Sequence, residues 1–338
     1  MGLLCLLRHL VWQATLAFWQ FSVHKILMKM FSVLLVIVLF QTACLQAVEP
    51  LKVYLLAGQS NMVGQGVVAG KETAGTIEFC IENDKSGKYG FLAGKGGKLA
   101  EQDDVWIYYE RDGKVLTGNL SPRFGKTDKA VGPEISFGEQ IQKQEGEQIL
   151  LIKTAWGGKS LGKDFRPPSA GGKTGFYYEE MVRCIHDALD NLDKHFPKSK
   201  KYQGYEIAGL FWHQGWNDRV NKKFAAEYTS NMEHLIKDLR SEFKTEFPVV
   251  IATTGMATKR NAASDETPKK HAIVTAQLAV AKVKGFKGNV AVVDTRQFWK
   301  SAKESPAPGG GQHYHWNKSA EIYMDLGFAC AKAFEELR

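Results

Sequence analysis

"KVYLLAGQSNMVG", Lys52 to Gly64, holds the reading of this chain. Lys52–Ala57 is apolar and β-branched enough to be a strand buried on both faces. It then stops on Gly58-Gln59-Ser60-Asn61, which is small and polar. In open parallel α/β sheets, ligands and reacting groups collect at the carboxyl ends of the strands. Ser60 there is either a turn or helix-cap residue or a nucleophile, and the rest of the chain decides between them.

Four more apolar runs have the same character: "QILLIKTA" from Gln148, "EIAGLFWHQG" from Glu206, "PVVIATTG" from Pro248 and "NVAVVDT" from Asn289. Helical patterns lie between and after them, at Ile135–Lys143, Tyr177–Phe196, Phe224–Phe243, Ala272–Val283 and from about Lys318 to the C-terminus. Strand–helix alternation of this kind predicts a parallel sheet covered by helices on both faces. Residues 70–132, rich in glycine, lysine and charge, interrupt the rhythm after the first strand. Within them "VWIYYERDGKVLTG", Val105–Gly118, predicts a β-hairpin turning at Asp112-Gly113. An insertion there sits beside the first strand's carboxyl end, where it either walls a cleft or decorates the surface.

The chain has 338 residues, and residues 1–48 read as a leader. "FSVLLVIVLF", Phe31–Phe40, is too short to span a bilayer comfortably. Lys25 and Lys29 precede it and "TACLQA" follows, the order of a secretory signal peptide with cleavage after Ala47. A start at Met28 or Met30, a lipoprotein at Cys44 and an uncleaved anchor are the alternatives. Residues 49–338 then form one domain, secreted or periplasmic, with no stable membrane span once the leader is gone. The formal net charge of +8 includes Arg8, Lys25 and Lys29 of the leader. The remaining lysines are scattered among acids, which reads as a solvated surface and not a nucleic-acid groove. Cys80, Cys184 and Cys330 have no zinc-like spacing, and an odd count leaves at least one thiol free.

The strand ends share a chemistry. The first carries Ser60, the second the glycine pair Gly157 and Gly158 in "TAWGGKSL", the third "WHQGWND" (Trp212–Asp218). "GQHYHWN", Gly311–Asn317, precedes the last helix. A serine, a histidine, glycine amides and a side-chain amide at one end of one sheet are the parts of acyl transfer. Two competitors have weaker support. Gly157–Asp164 nearly spells a phosphate-binding loop, but Asp164 replaces the needed Ser or Thr and Pro167-Pro168 forbid the following helix. His313 and His315, with Asp294 or His213, lack a recognisable metal-ligand spacing, so neither metal nor cofactor is expected.

These blocks resemble the SGNH (GDSL-like) hydrolase superfamily, and more narrowly the sialate O-acetylesterase-like family related to carbohydrate esterase family six. The resemblance rests on "GQSNM" (Gly58–Met62), "VGPEISFG" (Val131–Gly138), the Gly157-Gly158 block, "WHQG" (Trp212–Gly215) and the late histidine. It covers most of residues 52–338 and implies a flavodoxin-like three-layer α/β/α sandwich. It also implies a serine esterase that removes O-acetyl groups from carbohydrate hydroxyls. A carbohydrate-binding protein that has lost the chemistry, and a general lipase or arylesterase, are the alternatives.

Carried over residue by residue, the resemblance makes Ser60 the nucleophile and His315, two residues before Asn317 as a helix cap, the base. The oxyanion donors are the Ser60 N–H, Gly157 or Gly158, and either Asn217 or Gln214. The narrower family has glutamate where this chain has Trp216, so these two amides are rivals, with Asn217 preferred. The superfamily's aspartate three residues before the histidine is replaced by Gln312. Either Gln312 orients His315 in a dyad, or Asp294 or Asp218 supplies a displaced acid. Gln59, Trp156, Arg166, Trp212 and Trp216 are expected contacts to the acetylated sugar.

Overall fold

The computed structural model describes residues 49–256 and 268–338, besides positions 2, 12, 19, 28 and 29. The leader and its cleavage site lie outside the described residues. The chain divides into two units, Met1–Glu49 and Pro50–Arg338, and the second carries every element named below. Among the described residues no helix is long and apolar enough to cross a membrane.

In chain order the strands are β1 (Leu51–Gly58), β2 (Gly66–Val67), β3 (Gln102–Arg111), β4 (Lys114–Leu120), β5 (Ala130–Val131), β6 (Ile149–Ala155), β7 (Tyr205–His213), β8 (Val249–Ala252) and β9 (Val290–Val293). The helices are α1 (Ser60–Val63), α2 (Ile77–Glu82), α3 (Glu134–Glu145), α4 (Phe176–Asp190), α5 (Leu192–His195), α6 (Lys222–Phe243), α7 (Pro268–Val280) and α8 (Ala320–Glu335). A seven-stranded sheet has the order β4-β3-β6-β1-β7-β8-β9. All its pairings are parallel except that of β3 with β4. β2 and β5 pair separately as a short antiparallel ribbon.

The alternation of side chains along β1 explains the three layers. Leu51, Val53, Leu55 and Ala57 join the core beneath α4, α6 and α7. Tyr54 and Leu56 face the opposite core, shared with α3 and α8. A strand at the centre of such a sheet has no wet face, so its sequence has no polar alternation.

The expected strands and long helices are present, with two differences. The hairpin does not merely decorate the surface. Val105–Tyr109 pairs in parallel with β6, so β3 and β4 extend the central sheet. Trp106 and Tyr108 enter one core, and Val105, Ile107 and Tyr109 the other. Five consecutive apolar residues require cover on both faces, which an exposed hairpin would not supply. At its tip Asp112 and Gly113 have φ of 51° and 73°, the left-handed pair that two-residue hairpin turns favour. The second difference is at Asn191, where the expected helix Tyr177–Phe196 breaks into α4 and α5. Cys80, Cys184 and Cys330 are all buried free thiols.

Candidate active site

β1 ends against β7, with Gly58 opposite His213. A Cβ on Gly58 would stand 2.2 Å from the His213 carbonyl oxygen, so only glycine lets the strands approach this closely. The next backbone N–H, of Gln59, donates to the same carbonyl at 3.2 Å. The chain then winds directly into α1, and Ser60 emerges at its first position.

Ser60 is 9% exposed. It lines a cleft of about 720 Å³ together with Trp156, Gly157 and Gly158 after β6, Trp216 and Asn217 after β7, and His315 before α8. Tyr109–Asp112, from β3 and its turn, and Lys126 complete one wall, so the inserted segment does border the cleft. A Cβ on Gly157 would lie 3.8 Å from that of Ser60, which puts this residue beside the serine. Gly158 has a left-handed φ of 72°.

The polar residues flanking Ser60 are structural. The Gln59 side chain is buried. Its Oε1 accepts from the N–H groups of Gly215 and Asn217 at 3.1 and 3.3 Å, and its Nε2 donates to Asn217 Oδ1 at 3.2 Å. It fixes the third block and does not line the cleft, contrary to the expectation of a sugar contact. Asn61, which the sequence reading left without a role, donates to the Tyr314 carbonyl at 3.0 Å and accepts from Tyr323 Oη at 2.7 Å. It ties the Ser60 turn to the His315 segment.

The two rival amides separate cleanly. Gln214 is fully buried, and its Nε2 donates to Asp218 Oδ2 at 2.6 Å and to the Lys159 carbonyl at 2.9 Å. Asn217 lines the cleft, and its Nδ2 donates to the Gly158 carbonyl at 2.7 Å. One amide proton of Asn217 is thereby used, and the other is left for a ligand.

Neither expected acid reaches the histidine. Asp218 accepts from the N–H groups of Leu161 and Gly162 at 3.0 and 2.8 Å, as well as from Gln214. It shapes the glycine loop, and burial raises its carboxyl to about 6 against the pull of those bonds. Asp294 caps the turn after β9 and pairs with the Arg296 guanidinium at 2.7 Å. What His315 Nδ1 meets is Gln312 Oε1, 2.9 Å away. Burial, then the charges of Lys126 and Lys318, lower the imidazole to about 4. Ser60 and His315 share the cleft with no hydrogen bond between them among the described residues.

The backbone after His315 is strained. Trp316, Asn317 and Lys318 have φ of 51°, 51° and 59°, a left-handed region costly for residues with a Cβ. Tertiary contacts hold it there. Trp316 is fully buried between the rings of His213 and Trp299, and Asn317 Nδ2 donates to the Lys300 carbonyl at 3.0 Å. The helix cap is therefore Ser319, which accepts from Ile322, and not Asn317.

Two further expected contacts are elsewhere. Trp212 is fully buried in the core and donates to Tyr228 Oη at 3.2 Å. Arg166 pairs with Glu227 and binds the carbonyls of Ala170 and Gly171, stapling its own loop. Trp156 and Trp216 do line the cleft.

Beneath α1 lies an ion pair that the sequence reading missed. Lys153, in the middle of β6, and Glu134 are both fully buried, 2.9 Å apart. The Lys153 ammonium also donates to the carbonyls of Val63, at the end of α1, and Phe124, at 2.9 and 2.7 Å. Glu134 Oε1 accepts from Gly132 N at 2.8 Å. A lone lysine inside the apolar run "ILLIKTA" was the available signal, since such a charge needs a buried partner.

A match to the family described as "Carbohydrate esterase, sialic acid-specific acetylesterase" spans residues 50–333. The chain belongs to this acetylesterase family. It is accordingly a carboxylic ester hydrolase acting on acetylated carbohydrates. Among solved structures, a protein from Arabidopsis thaliana is similar at 18% identity and TM-score 0.52, over 85% of this chain and 98% of that one. That likeness is one of fold. A carbohydrate acetylesterase from Xanthomonas citri matches at 14% identity and TM-score 0.49, over 83% of this chain and 55% of that one. NanS matches at 14% identity and TM-score 0.44, over 75% and 79%. No curated protein matches the chain. Among the described residues of this acetylesterase, no group of three or more His, Cys, Asp or Glu side chains is placed to hold a metal ion.

Proposed function

We propose that this acetylesterase works by a Ser60–His315 dyad. The observation that carries the reading is the shared cleft of Ser60, Gly157, Gly158, Asn217 and His315. Ser60 Oγ attacks the acetyl carbonyl carbon while His315 Nε2 takes its proton. The oxyanion is held by the N–H groups of Ser60 and Gly157 or Gly158 and by the Asn217 amide. The tetrahedral intermediate collapses, the sugar oxygen leaves with the proton from Nε2, and an acetyl-serine remains. Water then attacks that ester and gives a proton to Nε2, and acetic acid departs as Oγ regains that proton, ionising to acetate in solvent. Gln312 is a positioning residue. By accepting a hydrogen bond from Nδ1–H it holds the tautomer in which Nε2 is free to act as base. Acetate release from a panel of O-acetylated glycans, compared with an aryl acetate and longer aryl esters, tests the activity. A rate that rises with acyl length and ignores acetylated sugars would favour a general esterase.

The lowered basicity of His315 sets the pH profile. An imidazole titrating near 4 is neutral and competent above that pH. Activity should therefore fall only as pH drops through about 4, where the ring is protonated and cannot accept. Replacing the neutral partner with a carboxylate should reverse part of this. Gln312→Glu is expected to move the acid limb upward, because a carboxylate favours imidazolium, and to keep or raise kcat. An acid limb that stays where it was in both Gln312→Glu and Gln312→Leu would remove Gln312 from this role.

The choice of amide is testable in the same assay. Asn217→Ala is expected to lower kcat about a hundredfold, ~2.7 kcal/mol of transition-state stabilisation, with little change in KM. Unchanged kcat in Asn217→Ala would contradict the assignment.

We also propose that the protein is exported, on the strength of the leader pattern in residues 25–47. N-terminal sequencing of the mature protein should begin at Val48, and retention of the apolar run would argue against cleavage.

A further inference from the structure

One side of the cleft continues outward as a line of aromatic rings. Trp156 lines the cleft with Ser60. The Tyr177 ring lies 5.3 Å from it, tilted by 55°. The Phe176 ring stands edge-on to Tyr177 at 5.2 Å and 89°. Trp156 and Tyr177 are half-buried, and Phe176 is 62% exposed. The Lys159 ammonium lies 4.3 Å from the Tyr177 ring centroid.

The backbone beneath these rings is pinned. Gly175 N donates to the Arg166 carbonyl and Tyr177 N to the Asp164 carbonyl, each at 2.9 Å. A Cβ on Gly175 would stand 2.2 Å from the Asp164 carbonyl oxygen. Arg166 in turn is tied to Glu227 and to the carbonyls of Ala170 and Gly171. Phe176 thus projects from a fixed backbone, and its ring is 62% exposed. An exposed apolar ring, joined through Tyr177 to the cleft-lining Trp156, with an ammonium donor over Tyr177, suits a ligand with apolar faces and hydroxyl edges. A pyranose ring has that surface. Its C–H face packs on an aromatic ring, and its hydroxyls accept from an ammonium group.

We propose that Phe176, Tyr177 and Lys159 form a second sugar subsite, which holds the unit of a glycan chain next to the acetylated one bound at Ser60. The proposal rests on the Ser60 reading and makes it narrower. The preferred substrate is an acetylated oligosaccharide or polysaccharide, and a free acetylated monosaccharide fills only part of the site.

The test uses O-acetylated xylotetraose and O-acetylated sialyllactose, each beside the acetylated monosaccharide of the same sugar. The wild-type enzyme should show a higher kcat/KM on at least one chain than on its monosaccharide, carried by KM. Phe176→Ala should lower that chain-to-monosaccharide ratio about tenfold, ~1.4 kcal/mol, while Phe176→Trp should restore it. Because Phe176 is exposed, loss of the fold does not confuse the result, and a thermal melt verifies this. A wild-type ratio near one on both sugars, or a ratio that Phe176→Ala leaves unchanged, overturns the subsite. The Ser60 reading is judged separately, by whether Ser60→Ala abolishes hydrolysis of an aryl acetate, a substrate too small to reach Phe176.

Discussion

Ser60→Ala is expected to lower kcat/KM on an aryl acetate by at least about a thousandfold, ~4 kcal/mol, while the thermal melt stays that of the parent. Both halves follow from the geometry. The serine side chain makes no hydrogen bond within the described residues, so its removal leaves no buried group unpaired. α1 is organised by its neighbours instead: Gln59 ties to the Asn217 block and Asn61 to the His315 segment. What the variant loses is the oxygen proposed to attack. Near wild-type turnover would remove Ser60 from the reaction, whatever the merits of the cleft.

The second large effect is on stability. Lys153→Met keeps most of the side chain's bulk but strands Glu134 as an unpaired buried carboxylate. It also takes the donor from the carbonyls of Val63 and Phe124. Breaking a buried pair by removing one partner costs about 3–5 kcal/mol, and urea titration should register a loss of that order. Lys153→Met with Glu134→Gln should recover part of it, since the neutral amide no longer carries a buried charge and still accepts from Gly132. A loss under about 1 kcal/mol in the single variant would mean that the site relaxes around Glu134 and that the pair does not clamp α1.

How far the sequence could be read depended on the reach of the interaction. The five buried strands were legible because a strand covered on both faces has to be apolar throughout. β3 was harder. "VWIYY" has the same apolar character, but its Asp-Gly turn signals only a hairpin within an insertion, and pairing with β6 is a contact between distant segments. Among candidate site residues, Ser60, Gly157 and Gly158 stand out by their place at strand ends, while the preference for His315 over His313 and for Asn217 over Gln214 rests on the family resemblance; all five line one cleft.

Gln59, Trp212 and Arg166 illustrate the limit. Each has the right chemistry beside the right motif, and each points away from the cleft. Residue type does not tell which way a side chain faces at a strand end. The same limit applies to Asp218 and Asp294, whose carboxylates are committed to the glycine loop and to Arg296. The left-handed run Trp316–Lys318 had no local signal beyond Asn317, because the burial of Trp316 that maintains it is a tertiary contact.

In the proposed mechanism Ser60 Oγ becomes covalently bonded during turnover, activated by His315. Labelling with a serine-directed organophosphonate, followed by peptide mass spectrometry, tests it most directly. One adduct is expected, on the peptide containing Ser60, formed in step with loss of esterase activity and strongly slowed in His315→Ala. Full inactivation with the adduct on another residue, or an enzyme that hydrolyses acetate esters while Ser60 stays unmodified, would contradict it.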